Sequence, residues 1–328
     1  MNINRPIDFA SGNAKLHEIK IKVIKAPIYA ELAGGATTLF QNENANMHLI
    51  PEYFALINQS NSKILSVVTK NYHLITNEDA IELGKKTFSE LFNIDAPLKV
   101  FKVITSRRKT FCHIDFIHES VNLNVWEQDT WYPFLRVTNS YNKTFALGFE
   151  LGFVRKLCSN GVIFSKNTVK VKYSHSNDIR NIKVEVNAAK LVKVKNEFMQ
   201  HMFNLKRFYI SKSHFFSLAC KALNVRKPQP LTENGNLRRK LKMFESLKEI
   251  TEGLSISYIG TEGENAYAFF NVITDLVSHQ DEYKNLALYD LHPGNCYTKP
   301  ALWVEDFVKN AEKRDFSIET YIGDYKSN

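Results

Sequence analysis

The chain has 328 residues, 44% hydrophobic and 12% aromatic, enough for one large domain or two ordinary ones whose core needs no covalent staples. That composition excludes a disordered chain; MNINRPIDFA is not signal-like and no run reaches membrane-spanning length, so a cytoplasmic protein without membrane contact is expected. The formal charge of +9 hides an asymmetry: residues 165–250 carry 19 Lys or Arg against 6 Asp or Glu, a net of +13, and the rest carries −4, so the positive field belongs to one segment and suits a polyanion.

Residues 1–60 read as a few strands with loops, in apolar runs such as IKVIKAPIYAEL broken by the Gly34-Gly35 turn and by QNENAN. ILSVVTKNYHLI, from Ile64, is a strand candidate, after which Thr76, Asn77 and Asp79 offer N-caps for a helix through ELGKKTFSELF. An Asn77 cap would have Ala80 three residues on, which predicts a one-sided cap with no capping box. Four strand-like runs follow: PLKVFKVIT, KTFCHIDFIH, WYPFLRVTN and TFALGFELGFV. Their short connections predict an antiparallel meander, with the charged tip Ser106-Arg107-Arg108-Lys109 between the first two.

In the last run Phe145, Leu147, Phe149, Leu151 and Phe153 share one face of an extended chain, and Ala146, Gly148, Glu150 and Gly152 share the other. For Leu135 and Val137 to join the apolar face, paired residue numbers must sum to an even number. That predicts an odd loop of three or five residues around Tyr141-Asn142-Lys143, and it sets Arg136 and Thr138 beside Gly148 and Glu150. The apolar face is expected to be the inner side of a sheet covered by the C-terminal helices. The glycine-bearing face, with Arg136 and the turn from Arg155 to Gly161 at its end, is expected to carry function.

TVKVKYSH reads as one more strand, and the texture then turns helical. Leu191, Val194, Phe198, Met202 and Leu205 recur at helical spacing, with Lys190, Lys193 and Lys195 mostly elsewhere on the wheel. HFFSLACKALNV predicts a second helix that ends before Pro228-Gln229-Pro230, and NLRRKLKMFESLKEI a third with Leu237, Leu241, Phe244 and Leu247 inside. Thr261 to Glu264 fits a capping box for a fourth helix, ENAYAFFNVITDLVSH, and ALWVEDFVKNAEKR follows Pro300 as a fifth. The expected architecture is α+β: N-terminal strands and loops in 1–60, an antiparallel sheet core with one helix in 61–180, and a mainly helical basic region in 181–328 packed on it, as separate regions or as one continuous domain.

Among motifs that carry chemistry, the basic helices stand first. Lys190, Lys193, Lys195, Lys206, Arg207, Arg238, Arg239, Lys240 and Lys242 suit a surface that neutralises phosphates; the bland alternative is a set of solvated faces. The Arg107-Arg108-Lys109 tip suits a groove contact or, more simply, a charged turn blunting a sheet edge. Tyr72, Tyr141, Phe208 and Tyr209 lie close to basic residues and are candidates for base stacking, although most such rings are core. His113 and Asp115 share a strand face and, with Arg136, mark an alternative enzyme site, while Cys112 points the other way. Asp275 and His279 form an i, i+4 pair, read as a surface contact. The four cysteines are widely separated, and no nucleotide-binding or metalloprotease motif is present, so neither a cofactor nor a metal is expected.

Three places share an order and spacing: Asn139-Ser140 before a turn and a strand, Arg155-Lys156-Leu157-Cys158-Ser159-Asn160-Gly161, and Asn271-Val272-Ile273-Thr274-Asp275 with Ser278-His279. With Tyr72 and Asn77 they span roughly residues 64–280, over which the chain resembles the phage- and plasmid-borne family called domain of unknown function 932. It departs where members often read Asp-Gly-Ser and this chain has Asn142-Lys143-Thr144, which predicts a longer or differently shaped loop. The resemblance implies a mobile-element setting and work on DNA, without an established chemistry. The expectation is therefore a DNA-binding accessory protein, single strands favoured and a homo-oligomer possible, contacting DNA through Arg107, Arg108, Arg136, Asn139, Arg155, Lys156, Asn160, Lys190, Lys193, Arg238, Arg239 and Lys240. The alternatives are an enzyme near His113, Asp115 and Arg136, or a factor that engages a host or phage protein.

Overall fold

The structure, a computed structural model, describes residues 2–31, 47–127, 129–164, 171–173, 188–228, 237–279, 282–283 and 296–325. The Gly34-Gly35 turn, QNENAN and the side chain of Arg239 lie outside the described residues. The architecture is α+β, with two antiparallel sheets and helices gathered mainly in the C-terminal part. A helix α1 (Phe9–Ile19) precedes β1 (Val23–Glu31), β2 (Met47–Asn58) and β3 (Lys63–Thr69), which pair in that order as a three-stranded sheet. After α2 (Asn77–Phe92) come β4 (Lys99–Thr105), β5 (Phe111–Ile117), β6 (Leu123–Trp126), β7 (Asp129–Ser140), β8 (Leu147–Arg155), β9 (Gly161–Ile163) and β10 (Val171–Tyr173). These seven strands form the main sheet, in the spatial order β4-β5-β7-β8-β10, with β6 added to β7 and β9 to β8. The rest is α3 (Ala188–Arg207), α4 (Phe215–Leu223), α5 (Leu237–Glu262), α6 (Ala266–Ser278), α7 (Lys299–Ala311) and α8 (Ile318–Ile322).

The parity argument for the β7–β8 hairpin holds. Val137 faces Phe149 and Leu135 faces Leu151, so Arg136 meets Glu150 and Thr138 meets Gly148. The registered pairs stop at Thr138 and Gly148, however, so the connection is longer than three or five residues. Lys143 takes the left-handed backbone at its apex, with φ 61°, and the Asn142 side chain steadies the turn by accepting from the Thr144 amide at 3.2 Å and hydroxyl at 2.6 Å.

Several local expectations are corrected. The N-terminal region contains the helix α1 as well as strands, and β6 and β9 are short strands that no sequence run announced. The cap of α2 is Thr76, not Asn77, and it is two-sided: Thr76 Oγ1 accepts from the Asp79 amide while the Asp79 carboxylate accepts from the Thr76 amide. Thr261 belongs to the last turn of α5, which runs much further than its predicted stripe, and α6 is capped by Asn265 accepting from the Ala268 amide at 2.9 Å. The helix α7 begins at Lys299, so Pro300 sits inside its first turn, where a missing N–H costs nothing.

The apolar face of the main sheet is shared between two covers. Ile114, Phe116, Val137, Leu147 and Phe149 pack under Ala80, Ile81 and Phe88 of α2. Only the far half, with Trp131, Leu151 and Phe153, lies under the C-terminal helices, where Phe153 stacks on Phe198 at 4.1 Å. The predicted α3 stripe of Leu191, Val194, Phe198, Met202 and Leu205 is buried throughout; each such side chain contributes about 1.5–3 kcal/mol on leaving water.

The opposite face carries one row of alternating charge across four strands, because Lys102, Asp115, Arg136 and Glu150 are successive cross-strand neighbours. Tyr297 roofs this row, with its ring 4.2 Å from the Arg136 guanidinium carbon. α1 lies against β4 so closely that a Cβ on Gly12 would stand 2.2 Å from the Val100 carbonyl oxygen, which only glycine allows. The three-stranded sheet packs Val23, Leu56 and Val68 against Tyr72 and Tyr141. Its strands hold seven of the thirteen exposed large apolar side chains among the described residues, including Ile24, Tyr53, Ile64 and Val67, so exposed apolar surface concentrates there. Among the described residues no helix is long and apolar enough to cross a membrane.

Candidate functional site

The structure divides the expected DNA contacts into an internal and an external set. Arg136, Asn139, Arg155 and Asn160 are at most 6% exposed, so none of them can meet a phosphate on the surface. Arg136 donates through Nε and Nη2 to the two Asp115 oxygens at 2.7 and 2.6 Å, a bidentate pair inside the sheet. Asn139 donates to the Ile75 carbonyl at 3.1 Å and to Asn77 Oδ1 at 2.9 Å, tying β7 to the start of α2. These four are corrections with one physical reason: each side chain is enclosed in the interior and donates to buried partners there.

Arg155 and Asn160 belong to a buried polar network built on α6. Asn271, Thr274, Asp275 and Ser278 fall at i, i+3, i+4 and i+7 on one face of a helix that is buried all round. That face grips the turn between β8 and β9. Arg155 Nη1 donates to Asn271 Oδ1 at 3.1 Å, Asn160 Nδ2 to the Asn271 carbonyl at 3.3 Å, and the Gly161 amide to Ser278 Oγ at 2.8 Å. Arg155 also holds Asp129 and Glu262, each at 2.6 Å, while the Tyr267 hydroxyl donates to Asp129.

Asp275 collects the Tyr258 hydroxyl at 2.8 Å, the Tyr283 hydroxyl at 2.6 Å and Arg5 at 2.9 Å. Arg5 arrives on an N-terminal strap without regular secondary structure, whose Ile3 and Ile7 pack against two different buried clusters. Burial pushes the Asp275 carboxyl up in spite of these donors. The expected surface contact between Asp275 and His279 is thus corrected: their side chains turn to different partners in the interior.

His279 Nε2 faces two oxygens, the Cys158 carbonyl at 3.0 Å and Asn160 Oδ1 at 3.1 Å, so it carries the ring proton, while Nδ1 stands 3.5 Å from the Glu282 carboxylate. Burial, then Lys102 and Arg5, lower this imidazole from its ordinary 6.5 to about 4, against the Cys158 carbonyl and Glu282, which raise it. Between those two values the unfolded chain binds a proton that the folded chain does not, so stability is full above 6.5 and falls on acidification, by up to ~3 kcal/mol. Denaturant unfolding at pH 7 and pH 4.5 should therefore show a larger acid loss for the wild type than for His279→Gln; equal losses would remove His279 as the cause. Asp275, whose raised carboxyl works in the opposite sense, is common to both proteins and drops out of the comparison.

The alternative site is closed. His113, Asp115 and Arg136 are 2%, 1% and 0% exposed; His113 Nδ1 lies 2.8 Å from Thr138 Oγ1, and Asp115 and Arg136 occupy each other. Burial pushes the Cys112 thiol up to about 12 and the Cys158 thiol up to about 11, far from nucleophilic thiolates. Among the described residues no three His, Cys, Asp or Glu side chains are grouped to hold a metal ion.

The external set comprises Arg107, Arg108, Lys156, Lys190, Lys193, Arg238 and Lys240, all exposed. They form no single surface, since Arg107 and Arg108 lie beyond the Thr105 end of β4 whereas Lys156 follows Arg155 at the other end of the sheet, a strand length of roughly 23 Å away. Lys193 stands 3.8 Å from Glu197, and Lys206 is held by Glu262 at 2.9 Å over the Trp126 ring. Of the aromatic candidates Tyr72 and Tyr141 are buried, and Tyr209 is 72% exposed.

Sequence reading missed Arg5, Asp129, Tyr258, Glu262 and Tyr267, whose partners lie far along the chain. The polar spacing on α6 was the available signal, and its burial was not. A family model described as Domain of unknown function (DUF932) matches residues 64–303, the stretch that contains the network except Arg5. The chain matches no curated protein and no solved structure.

Proposed function

The chain belongs to the DUF932 family, and from that premise we propose that it is a nucleic-acid-binding accessory protein of a phage- or plasmid-like element, acting in the cytoplasm and favouring single-stranded DNA. One observation carries the reading. The first turns of α5 present exposed Arg238, Lys240 and Lys242 with no acidic residue before Glu245. Cations at a helix N-terminus oppose the macrodipole by about 0.3–1 kcal/mol each, a cost that a polyanion beside them offsets. Lys190 and Lys193 are exposed on α3, which packs on α6 as α5 does, and add two cations to the helical part.

The test is fluorescence anisotropy with labelled single- and double-stranded oligonucleotides across a salt series. Arg238→Ala/Lys240→Ala/Lys242→Ala should lower the salt slope on single strands by about 2 and the affinity near ~0.1 M salt by about a hundredfold, at ~0.7 per phosphate contact. An unchanged slope in the triple variant would sink the proposal.

A further inference from the structure

A cleft of about 360 Å³ opens between the start of α1, β4 and the C-terminal end of α6. Its charges do not close among themselves. Asp8 is occupied in capping α1, accepting from the Ser11 amide at 3.1 Å, and Glu282 holds Arg5 at 3.0 Å. Arg5 is in turn shared with Asp275 behind the wall. Lys102 is the group left over. Its half-buried ammonium donates to the Ser278 backbone carbonyl and stands 5.4 Å over the Tyr297 ring, while its cross-strand neighbour Asp115 is claimed by Arg136. Among the described residues no carboxylate pairs with Lys102, or with Lys15 on the wall of the same cleft.

Charges drawn out of water are paired in folded proteins, and among the described residues the cations of this cleft, Arg5, Lys15 and Lys102, outnumber its carboxylates, Asp8 and Glu282, neither of which pairs with Lys102, so the excess calls for an anion from outside. We infer that this cleft binds a phosphomonoester, with Lys102 and Lys15 as its countercharges and the Ser159 hydroxyl as a further donor. The size of the cleft admits a phosphate with a small organic group attached, within the usual range for ligand pockets. The bound phosphate brings negative charge beside His279 and so favours its protonated form, which gives the ligand a spectroscopic signature.

The phosphate can come from a free small molecule or from the 5′ end of a DNA strand, and two arms separate these sources. In the first, adenosine 5′-monophosphate is titrated calorimetrically into wild type, Lys102→Met and Lys15→Met, with the His279 imidazole followed by NMR. Saturable binding that weakens at least tenfold in each variant, with an upward shift of the His279 titration in the wild type, establishes a free phosphomonoester site. In the second arm, 5′-phosphorylated and 5′-hydroxyl oligonucleotides are compared. A preference for the phosphorylated end that Lys102→Met and Lys15→Met abolish establishes the strand end as the source. Absence of both effects, or binding indifferent to Lys102 and Lys15, overturns the inference. Lys15 is exposed and its loss leaves the fold intact, so misfolding of one variant does not decide the matter. The α5 triple variant should keep monophosphate binding and Lys102→Met should keep affinity for hydroxyl-ended strands, so failure here and failure of the DNA reading are told apart.

Discussion

Arg136→Ala is expected to lower the unfolding free energy by about 3–5 kcal/mol, because it strands the Asp115 carboxylate at 1% exposure without its partner. Of the ~5–15 kcal/mol typical of folded domains this is roughly a fifth or more, and expression at 37 °C should suffer accordingly. The pair as a whole is a different matter. Desolvating both ions offsets most of their attraction, so Asp115→Leu/Arg136→Met should recover much of the loss, the two side chains then lying among Phe134, Tyr297 and the neighbouring strands. Denaturant titration of the wild type, the single and the double variant measures this directly. A single-variant loss under about 1 kcal/mol would show that the site relaxes and admits water.

Arg155→Ala should cost a comparable ~3–5 kcal/mol, since the guanidinium neutralises Asp129 and Glu262 together and no other cation reaches Asp129 among the described residues. Lys206 still covers one oxygen of Glu262, so the damage centres on Asp129 and the β7 end it occupies. Lys156→Ala, one residue on and exposed, should stay within about 0.5 kcal/mol of wild type. The two variants also separate the interior role from a phosphate contact. With Arg155→Ala the DNA affinity, corrected for the folded fraction, should hold and its salt slope should not move. A stable Arg155→Ala protein whose slope falls by ~0.7 would return this arginine to the DNA surface.

What could be read from the sequence followed from period and parity. Alternation in Leu147 to Phe153 gave the faces, parity gave the pairing of Val137 with Phe149, and the α3 stripe gave its buried side. The strands β6 and β9, four and three residues long, offer too few alternations to register as a pattern, and α1 buries only Gly12 and Ile19, too few for an apolar stripe. The arginines misled for another reason: composition gives the sign of a charge and not its partner. Arg155 meets Glu262 across 107 positions and Asn160 meets Tyr258 across 98, separations that no local window contains. The loop of Asn142-Lys143-Thr144 was legible as a departure from the family's turn, yet Lys143 takes the left-handed backbone there that glycine adopts most readily.

The strap that carries Arg5 sets an order of events during synthesis. Its carboxylate partner is 270 positions later in the chain, and at ~5–20 residues per second the ribosome delivers Asp275 roughly 15–50 s after Arg5 has been made. Through that interval Ile3, Ile7 and the guanidinium have no finished surface to meet. Residues translated well before α6 are thus among the last to settle, and docking of the strap marks the arrival of α6.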